Sequence, residues 1–273
     1  MSHYRRFFEQ LQAAPRVTTG PAEEAFPWAS LVIPAGVRTI LDVGCGRGEF
    51  IAQLPSGYWA VGVDLICPGK PAVMDRFVQA SAAALPFSDL AFDLVTCFEV
   101  LEQLPEGPFR EAIAELQRVS KTHLVISVPN REVLAESLVI CPGCDCAFHP
   151  SWHVRSFDPL MLRGLFSDFE MQECRAVGPP VRYGGTRVSR LAVLGARRAP
   201  PPIAVCPQCG RTGWSDSSTI DELSVNSGTA APLRRAFFLL LFRHVRPYWL
   251  LATYARRTSL SHKDAGDGDT RVS

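Results

Sequence analysis

Apolar runs alternate with amphipathic stretches over residues 37–130, and this is the pattern of repeated strand–helix units. Because the runs are apolar throughout, they predict strands that are covered on both faces, as in a parallel α/β sheet. Helices or crossovers are predicted at 48–54, 68–73 and 106–119. The predicted strands are Thr39–Val43, 59–63, Phe77–Gln79, 94–97 and 124–128.

The pattern changes beyond Asn130. Helices are predicted at 131–139 and 159–166, and two further strands at 169–177 and 187–195. The turn-rich GPPVRYGG stretch between these two strands predicts a hairpin. We therefore expect a mostly parallel sheet of seven strands, closed by an antiparallel last strand.

Composition and charge place the chain among ordinary globular proteins. Its 273 residues are 47% hydrophobic and 20% charged, with a formal net charge of +1, which excludes wholesale disorder and a polytopic membrane protein. The first residues lack a signal-peptide core, so we expect a cytoplasmic protein. In that compartment nine cysteines are expected to be thiols or metal ligands rather than disulfides.

The clearest chemical motif is LDVGCGRGEF, in which Gly44, Gly46 and Gly48 follow an apolar strand and precede a predicted helix. Glycines at such a turn let the backbone approach a ligand closely. Asp64 ends the next strand, where a carboxylate can accept hydrogen bonds from both hydroxyls of a ribose. Together these residues predict a nucleoside-containing cofactor.

With the later runs ASAAALPFSDLAFDLVTCFEVLEQLP and HLVISVPN, residues 40–129 resemble class I S-adenosylmethionine-dependent methyltransferases. The resemblance implies a Rossmann-like fold and S-adenosylmethionine as cofactor. It also implies that Asp42 and the glycine turn hold the amino-acid end of the cofactor and that Asp64 holds the ribose. The implied cofactor-binding residues are Asp42, Gly44, Cys45, Gly46, Asp64, Leu65, Ser81, Ala82, Leu85, Phe98 and Glu99.

Two positions depart from the family pattern. Ser81 stands where many relatives have an aspartate near adenine, and Gln103 stands where many have a histidine. These departures keep open an alternative function, a zinc-bearing binding or scaffold protein on a degenerate methyltransferase fold. The leading hypothesis is methyl transfer to a small or lipid-linked acceptor, as O-methylation of a sugar or lipid hydroxyl, with a quinone-like ring as second choice.

Two CPxC sequences, Cys141–Cys144 and Cys206–Cys209, supply the four thiolates of a tetrahedral structural zinc site. We predict one small zinc-binding element formed by these four cysteines. A local alternative uses the nearby Cys146, His149 and His153 in place of the second pair.

His153 lies in a stretch that is similar to the H-x-R-x-F segment near the substrate opening of many family members. An imidazole can take the proton of a hydroxyl acceptor as methyl transfer proceeds. His153 is therefore the predicted catalytic base, and a purely structural histidine is the alternative.

The C-terminal part is basic, with 12 arginines against three acidic residues in 182–257. Its apolar stretches are too short to span a bilayer and predict a basic apolar helix over 232–258. Two alternatives stay open for 234–255. The segment lies on the inner membrane face as a peripheral helix, or it packs on the body of the protein or across a homodimer. No nucleic-acid motif is present, so no nucleic-acid partner is expected.

These features divide the chain into five predicted parts. They are an N-terminal part (1–36) with short helices at 4–13 and 22–30, a methyltransferase domain (37–198) with a knuckle insert (141–153), a second knuckle and polar linker (199–231), the helical tail (232–258) and a disordered end (259–273).

Overall fold

The computed structural model describes residues 33–67, 76–183, 200–201, 204–212 and 244–258. One seven-stranded sheet dominates this part of the chain. Its strands are β1 (Thr39–Val43), β2 (Trp59–Asp64), β3 (Phe77–Gln79), β4 (Phe92–Phe98), β5 (Ser120–Pro129), β8 (Phe169–Tyr183) and β9 (His244–Arg256), and a separate two-stranded ribbon consists of β6 (Val139–Ile140) and β7 (Ala147–Phe148). The strand order in the main sheet is β3-β2-β1-β4-β5-β9-β8.

The predicted parallel core is confirmed. Strand β1 pairs in parallel with β2 and β4, with Leu41 beside Val61 on one side and Val95 on the other. Strands β3 and β5 extend the parallel sheet in both directions. The centres of β1, β2, β4 and β5 are buried, which explains why their sequences are mostly apolar.

Three α-helices lie in the described residues: α1 (Glu49–Ala52), α2 (Glu106–Val119) and α3 (Pro159–Arg163). Helix α2 matches its predicted bounds, and α3 begins at Pro159 after the N-cap residue Asp158, whose carboxylate accepts from the amides of Leu160 and Met161. The helix predicted at 131–139 is wrong. This stretch holds only a 3₁₀ turn at Leu134–Glu136, because Val139 is drawn into the β6–β7 ribbon. The helices predicted near the N-terminus at 4–13 and 22–30 lie outside the described residues.

The prediction of a helical tail over 232–258 is wrong for its described part. His244–Arg256 is strand β9, which runs antiparallel to both β5 and β8. The antiparallel last strand is thus confirmed, but 244–256 forms it, whereas the predicted strand 187–195 lies outside the described residues. A strand that is buried on both faces gives a continuous apolar run, which periodicity does not distinguish from a buried helix.

Strand β9 also affects the predicted end of the methyltransferase domain and the predicted membrane contact. The sheet includes 244–256, so the methyltransferase domain does not end at 198, and the second knuckle is an insertion between β8 and β9. Membrane contact through 234–255 finds no support in the described residues 244–255, because Trp249, Leu250, Leu251 and Tyr254 are buried within the protein. None of the helices in the described part of the chain has the length and apolar character needed to cross a membrane.

The sheet brings the candidate residues to one edge. Gly44, Asp64 and Glu99 directly follow or end β1, β2 and β4. Pro129, at the end of β5, pairs with Trp249 near the start of β9, and β8 ends beside that start. The connections that carry the two CPxC sequences therefore leave the sheet at its carboxyl edge, where open α/β sheets bind ligands.

Candidate active site

The glycine turn is wedged between β2 and the segment after β4. The amides of Gly44 and Cys45 both donate to the carbonyl of Val63, at 2.7 and 3.0 Å. Gly44 has φ +77°, and a Cβ atom there would lie 2.1 Å from Cγ2 of Val100. Both the backbone conformation and the space therefore require glycine at this position.

Asp64 faces this turn from the end of β2. Its carboxylate accepts hydrogen bonds from the amides of Gly46 (2.9 Å) and Ile66 (3.1 Å), and the neighbouring Leu65 is exposed. The two amides fix the carboxylate beside the glycine turn. An acidic group thus lies where the sequence predicted a ribose-binding residue.

Asp42 lies beneath the turn and is buried. Thr96 Oγ1 donates to its Oδ1 atom at 2.7 Å. Burial raises the pKa of Asp42 to about 7, although the Thr96 hydrogen bond opposes this shift. Burial also raises the pKa of the Cys45 thiol far above its ordinary value, so Cys45 is an uncharged filler of the turn.

The segment after β3 forms a tight turn. The Ser81 hydroxyl accepts from the amide of Ala83 (3.2 Å), and Ala82 lies within this turn. Leu85 is buried, and its amide donates to Glu115 of α2 at 2.6 Å. Helix α2 therefore fixes the position of the residues predicted to contact adenine.

Phe98 ends β4, and Glu99 directly follows it. Phe98 is buried and packs edge-to-face against Phe50, with ring centroids 5.2 Å apart. Glu99 has φ +55°, a conformation that bulky residues rarely adopt and that clusters at functional sites. Its carboxyl accepts from Ser127 Oγ at 3.1 Å, and burial raises its pKa to about 8.

A second buried group, the histidine group, consists of Glu132, His149 and His153. Glu132 Oε1 lies 3.1 Å from His149 Nε2, and Glu132 Oε2 lies 2.6 Å from His153 Nδ1. The two imidazoles stack with centroids 4.4 Å apart. One carboxylate thus binds both histidines, one on each oxygen.

Backbone amides define the tautomer of His149. Its Nδ1 atom accepts from the amides of Ser151 (3.2 Å) and His153 (3.3 Å), so its proton is on Nε2 and is donated to Glu132. Burial would raise the pKa of Glu132, but the two histidine hydrogen bonds outweigh it and hold the pKa at about 2. Glu132 is therefore ionised and accepts the Nδ1 proton of His153 as well.

The remaining nitrogen of His153 faces Glu102. The distance from His153 Nε2 to Glu102 Oε1 is 3.9 Å, and Glu102 is 0% exposed. Neither carboxyl oxygen of Glu102 has a hydrogen-bond partner among the described residues, and burial raises its pKa well above the ordinary value. The amides of Val154 and Arg155 donate to the Glu102 carbonyl, which ties the histidine segment to the turn after β4.

The histidine group does not fit a metal ion, although its ligand atoms lie close together. A neutral imidazole that binds a metal through one nitrogen carries its proton on the other and donates it to an acceptor. In His149 that other nitrogen faces two amide donors instead. The arrangement suits proton transfer at His153 rather than cation binding.

The four predicted zinc-binding cysteines do converge. Cys141 Sγ lies 3.6 Å from Cys209 Sγ, Cys144 Sγ lies 3.6 Å from Cys206 Sγ, and all four sulfurs lie within 4.8 Å of one another. In the alternative ligand set, His149 and His153 are bonded to Glu132 instead. Cys146 donates to the Ala147 carbonyl at 3.7 Å.

Both CPxC sequences form the same knuckle. The amide four residues after the first cysteine returns to that cysteine's carbonyl, from Asp145 to Cys141 and from Gly210 to Cys206, each at 2.9 Å. Asp145 and Gly210 both have positive φ. The repeated geometry presents all four thiols to one point.

Two acids beside the predicted base, Glu132 and Glu102, are not expected from the sequence. Glu132 lies three residues beyond the end of β5, and an acid so close to the carboxyl edge of a parallel sheet is a usable signal. Glu102 carries no such signal, because only the fold shows that it is buried beside His153.

Comparisons with known proteins agree with this architecture. A family profile described as a methyltransferase domain matches residues 5–172. A demethylmenaquinone methyltransferase of Roseiflexus sp. (strain RS-1) is 33% identical over 204 residues, which cover 68% of this chain and 72% of that protein. The second Roseiflexus relative, the demethylmenaquinone methyltransferase of R. castenholzii, is 28% identical over 203 residues, with the same coverage.

A solved structure shows the same fold. The YcgJ protein of Bacillus subtilis superposes with a TM-score of 0.50 at 16% identity, covering 87% of this chain and all of that one. The order of the strands, the glycine turn and the sequence relatives lead to one assignment: the chain belongs to the S-adenosylmethionine-dependent methyltransferases and is an enzyme of that family.

Proposed function

We propose that this enzyme methylates a hydroxyl of a small or lipid-linked acceptor, with His153 as the base that removes the hydroxyl proton. The observation that carries the proposal is the 2.6 Å contact between His153 Nδ1 and Glu132. An ionised carboxylate on Nδ1 leaves the lone pair of Nε2 as the proton acceptor. That nitrogen lies 3.9 Å from Oε1 of Glu102 in the turn after β4, and Val100 of the same turn packs closely against Gly44 of the proposed cofactor site.

The residues of the carboxyl edge fit S-adenosylmethionine. Asp64 offers a fixed carboxylate for the ribose, the glycine turn leaves room for close approach, and Asp42 offers a buried carboxyl toward the amino-acid end. The cofactor supplies a methyl group on a sulfonium sulfur, which departs as a neutral thioether. The contribution of the protein is alignment of the acceptor oxygen, which can supply a large share of the rate.

His153 performs the proton step in this proposal. Its Nε2 atom takes the hydroxyl proton as the acceptor oxygen forms its new bond to carbon, and Glu132 stabilises the resulting imidazolium. His149 holds the other oxygen of Glu132, so that the carboxylate keeps its orientation. His153 is only 8% exposed, which keeps bulk water away from this proton transfer.

The acceptor class follows from the relatives and from the chemistry of the base. Demethylmenaquinone methyltransferases are among the relatives, and a ubiquinone biosynthesis O-methyltransferase of Paracidovorax citrulli is 34% identical over 92 residues, 29% of this chain. The demethylmenaquinone methyltransferases support a quinone-type ring as the acceptor, and the name of the P. citrulli enzyme supports oxygen as the methylated atom. A ring hydroxyl of a reduced quinone therefore stands beside the sugar or lipid hydroxyl expected from the sequence.

The experiment is a radiolabel transfer assay with methyl-labelled S-adenosylmethionine. Three acceptors are compared: a reduced naphthoquinone, a monosaccharide glycoside and a polyprenyl-linked sugar. Label that enters one of them as an acid-stable methyl ether supports the proposal. Label found on carbon or nitrogen would contradict the role of a hydroxyl.

Zinc at the four cysteines is the second part of the proposal. Four sulfurs at ~2.3 Å from a tetrahedral zinc ion lie about 3.8 Å from one another. The two 3.6 Å contacts between Sγ atoms agree with that spacing. All four ligands are thiols and no ligand position is left for a substrate, so the site is structural rather than catalytic.

The affinity for S-adenosylmethionine is expected to fall as the pH drops from 8 to 6. The raised pKa of Asp42, about 7, means that its carboxyl is increasingly protonated below pH 7. Because the cofactor carries cationic groups, it favours the ionised carboxyl, and affinity should fall by up to about tenfold per pH unit below 7.

Calorimetric titrations at several pH values test this expectation, with Asp42→Asn as the control. The amide has nearly the same shape and does not titrate, so the variant should lose this part of the pH dependence. An equal slope in both proteins would rule out Asp42 as the group responsible.

A further inference from the structure

The four-cysteine site joins two of the connections that leave the sheet at its carboxyl edge. Its first knuckle lies in the connection from β5 to α3, and its second lies between β8 and β9. His153 belongs to the first connection, 12 residues after Cys141. The second knuckle can therefore influence the proposed base through contacts between the two connections.

One side-chain contact makes this link directly. Trp152 Nε1 donates to the carbonyl of Val205 at 2.9 Å. Val205 is fully buried and immediately precedes Cys206, and Trp152 immediately precedes His153. A single hydrogen bond thus connects the residue before a zinc-binding cysteine with the residue before the base.

The backbone at Trp152 is a second, independent sign. Trp152 has φ +58°, in the left-handed region that a bulky residue seldom occupies. Its amide donates to the His149 carbonyl at 2.9 Å, which closes a turn around the histidine group. Such a conformation persists only where surrounding contacts hold it, and the Val205 contact is one that does.

The other end of the segment is held separately. The amides of Val154 and Arg155 donate to the Glu102 carbonyl, at 2.8 and 3.2 Å. His153 therefore lies between an anchor on the methyltransferase core and an anchor on the second knuckle. The second anchor is the one made by the stretch of chain that carries Cys206 and Cys209.

We propose that Trp152 is a positioning residue that couples the four-cysteine site to His153, so that bound zinc aligns the base for the acceptor. The inference rests on the proposed function, because it assigns His153 the proton step. It adds that zinc controls turnover and leaves the binding of S-adenosylmethionine unaffected.

Trp152→Phe tests the coupling, since phenylalanine keeps an aromatic ring and removes the N–H donor. The matched control is Trp59→Phe, on β2, where the side chain is largely exposed at 53%. In Trp152→Phe we expect turnover to fall ~10- to 100-fold, measured with whichever acceptor the wild type methylates in the radiolabel assay. Misplacement of a catalytic group by about 1 Å can cause a loss of this size. Zinc content and affinity for S-adenosylmethionine should stay as in the wild type.

Nuclear magnetic resonance of ¹⁵N-labelled histidine gives a readout that needs no acceptor. In the wild type His149 should show the Nε2–H form and His153 an Nδ1–H bonded to Glu132, assigned with His153→Gln. In Trp152→Phe the downfield Nδ1–H signal of His153 should weaken or disappear. A purely structural role of Trp152 would lower the melting temperature and leave this signal in place.

Removing zinc from the wild type and from Trp152→Phe gives the four proteins of a double-perturbation cycle. Stripping zinc from the wild type should reproduce the turnover and histidine signal of Trp152→Phe, and stripping the variant should add little further loss. Unchanged turnover in Trp152→Phe, loss of zinc from it, or fully additive losses would overturn the coupling. An active His153→Gln would instead refute the proposed base, so the two failures are distinguishable.

Discussion

Replacing His153 with glutamine is expected to reduce turnover ~10²- to 10⁴-fold, the range typical of general-base removal. Glutamine keeps a polar side chain of similar length but provides no nitrogen that takes up a proton at neutral pH. Affinity for S-adenosylmethionine should stay nearly unchanged, because no predicted cofactor-binding residue hydrogen-bonds to His153. Steady-state kinetics with calorimetry of cofactor binding measure both effects.

His123→Gln is the matched control. His123 lies near the start of β5, far along the strand from the carboxyl edge, and hydrogen-bonds to Thr122. It should retain wild-type turnover. Near-wild-type turnover of His153→Gln would remove the only named base, and release of zinc from that variant would instead identify His153 as a metal ligand.

Cys206→Ser is expected to lower zinc content from about one ion per chain to nearly none and to destabilise the protein. Binding energy at a structural zinc site is folding energy, on the order of 10 kcal/mol or more in small zinc domains. Even a loss of ~3 kcal/mol would lower the melting temperature of a chain of this size by roughly 6–12 °C. Metal analysis and thermal melting provide the measurements.

Cys174→Ser controls for the loss of a thiol as such. Cys174 lies on β8, outside the four-cysteine group. The Cys174→Ser protein should therefore keep its zinc and lose little stability. If Cys206→Ser retains a full equivalent of zinc, the second knuckle is not required. The local set with Cys146 and the histidines would then be the better assignment.

Local sequence was sufficient for the parallel half of the fold. Strands β1 and β3 and helix α2 have their predicted bounds, because the apolar runs are short and turn residues mark their ends. The sequence predicts a helix where strand β9 forms, since the almost continuously buried run from Trp249 to Tyr254 has no periodicity that distinguishes the two elements. Pairing with β5 and β8 makes this segment a strand, and both partners are distant from it in sequence.

The site residues also divide into those that local sequence predicts and those that depend on contacts between distant segments. The glycine turn, Asp64 and the cysteine pairs have fixed local spacing, so the sequence alone proposes them. Glu132 and Glu102 were not identified, because their role depends on contacts with His149 and His153 that span 17 or more residues. The contact of Trp152 with Val205 spans 53 residues and carries no local pattern.

Calorimetric titration of S-adenosylmethionine into the zinc-loaded wild-type chain and into Asp64→Ala tests the proposed cofactor site most directly. The expected result is one saturable site per chain in the wild type. In the variant affinity should be at least ~10-fold weaker, since a hydrogen bond to a charged group contributes about 1.5–3 kcal/mol. Absence of saturable binding in the wild type, or equal affinity in both proteins, would contradict a cofactor site at the glycine turn and Asp64.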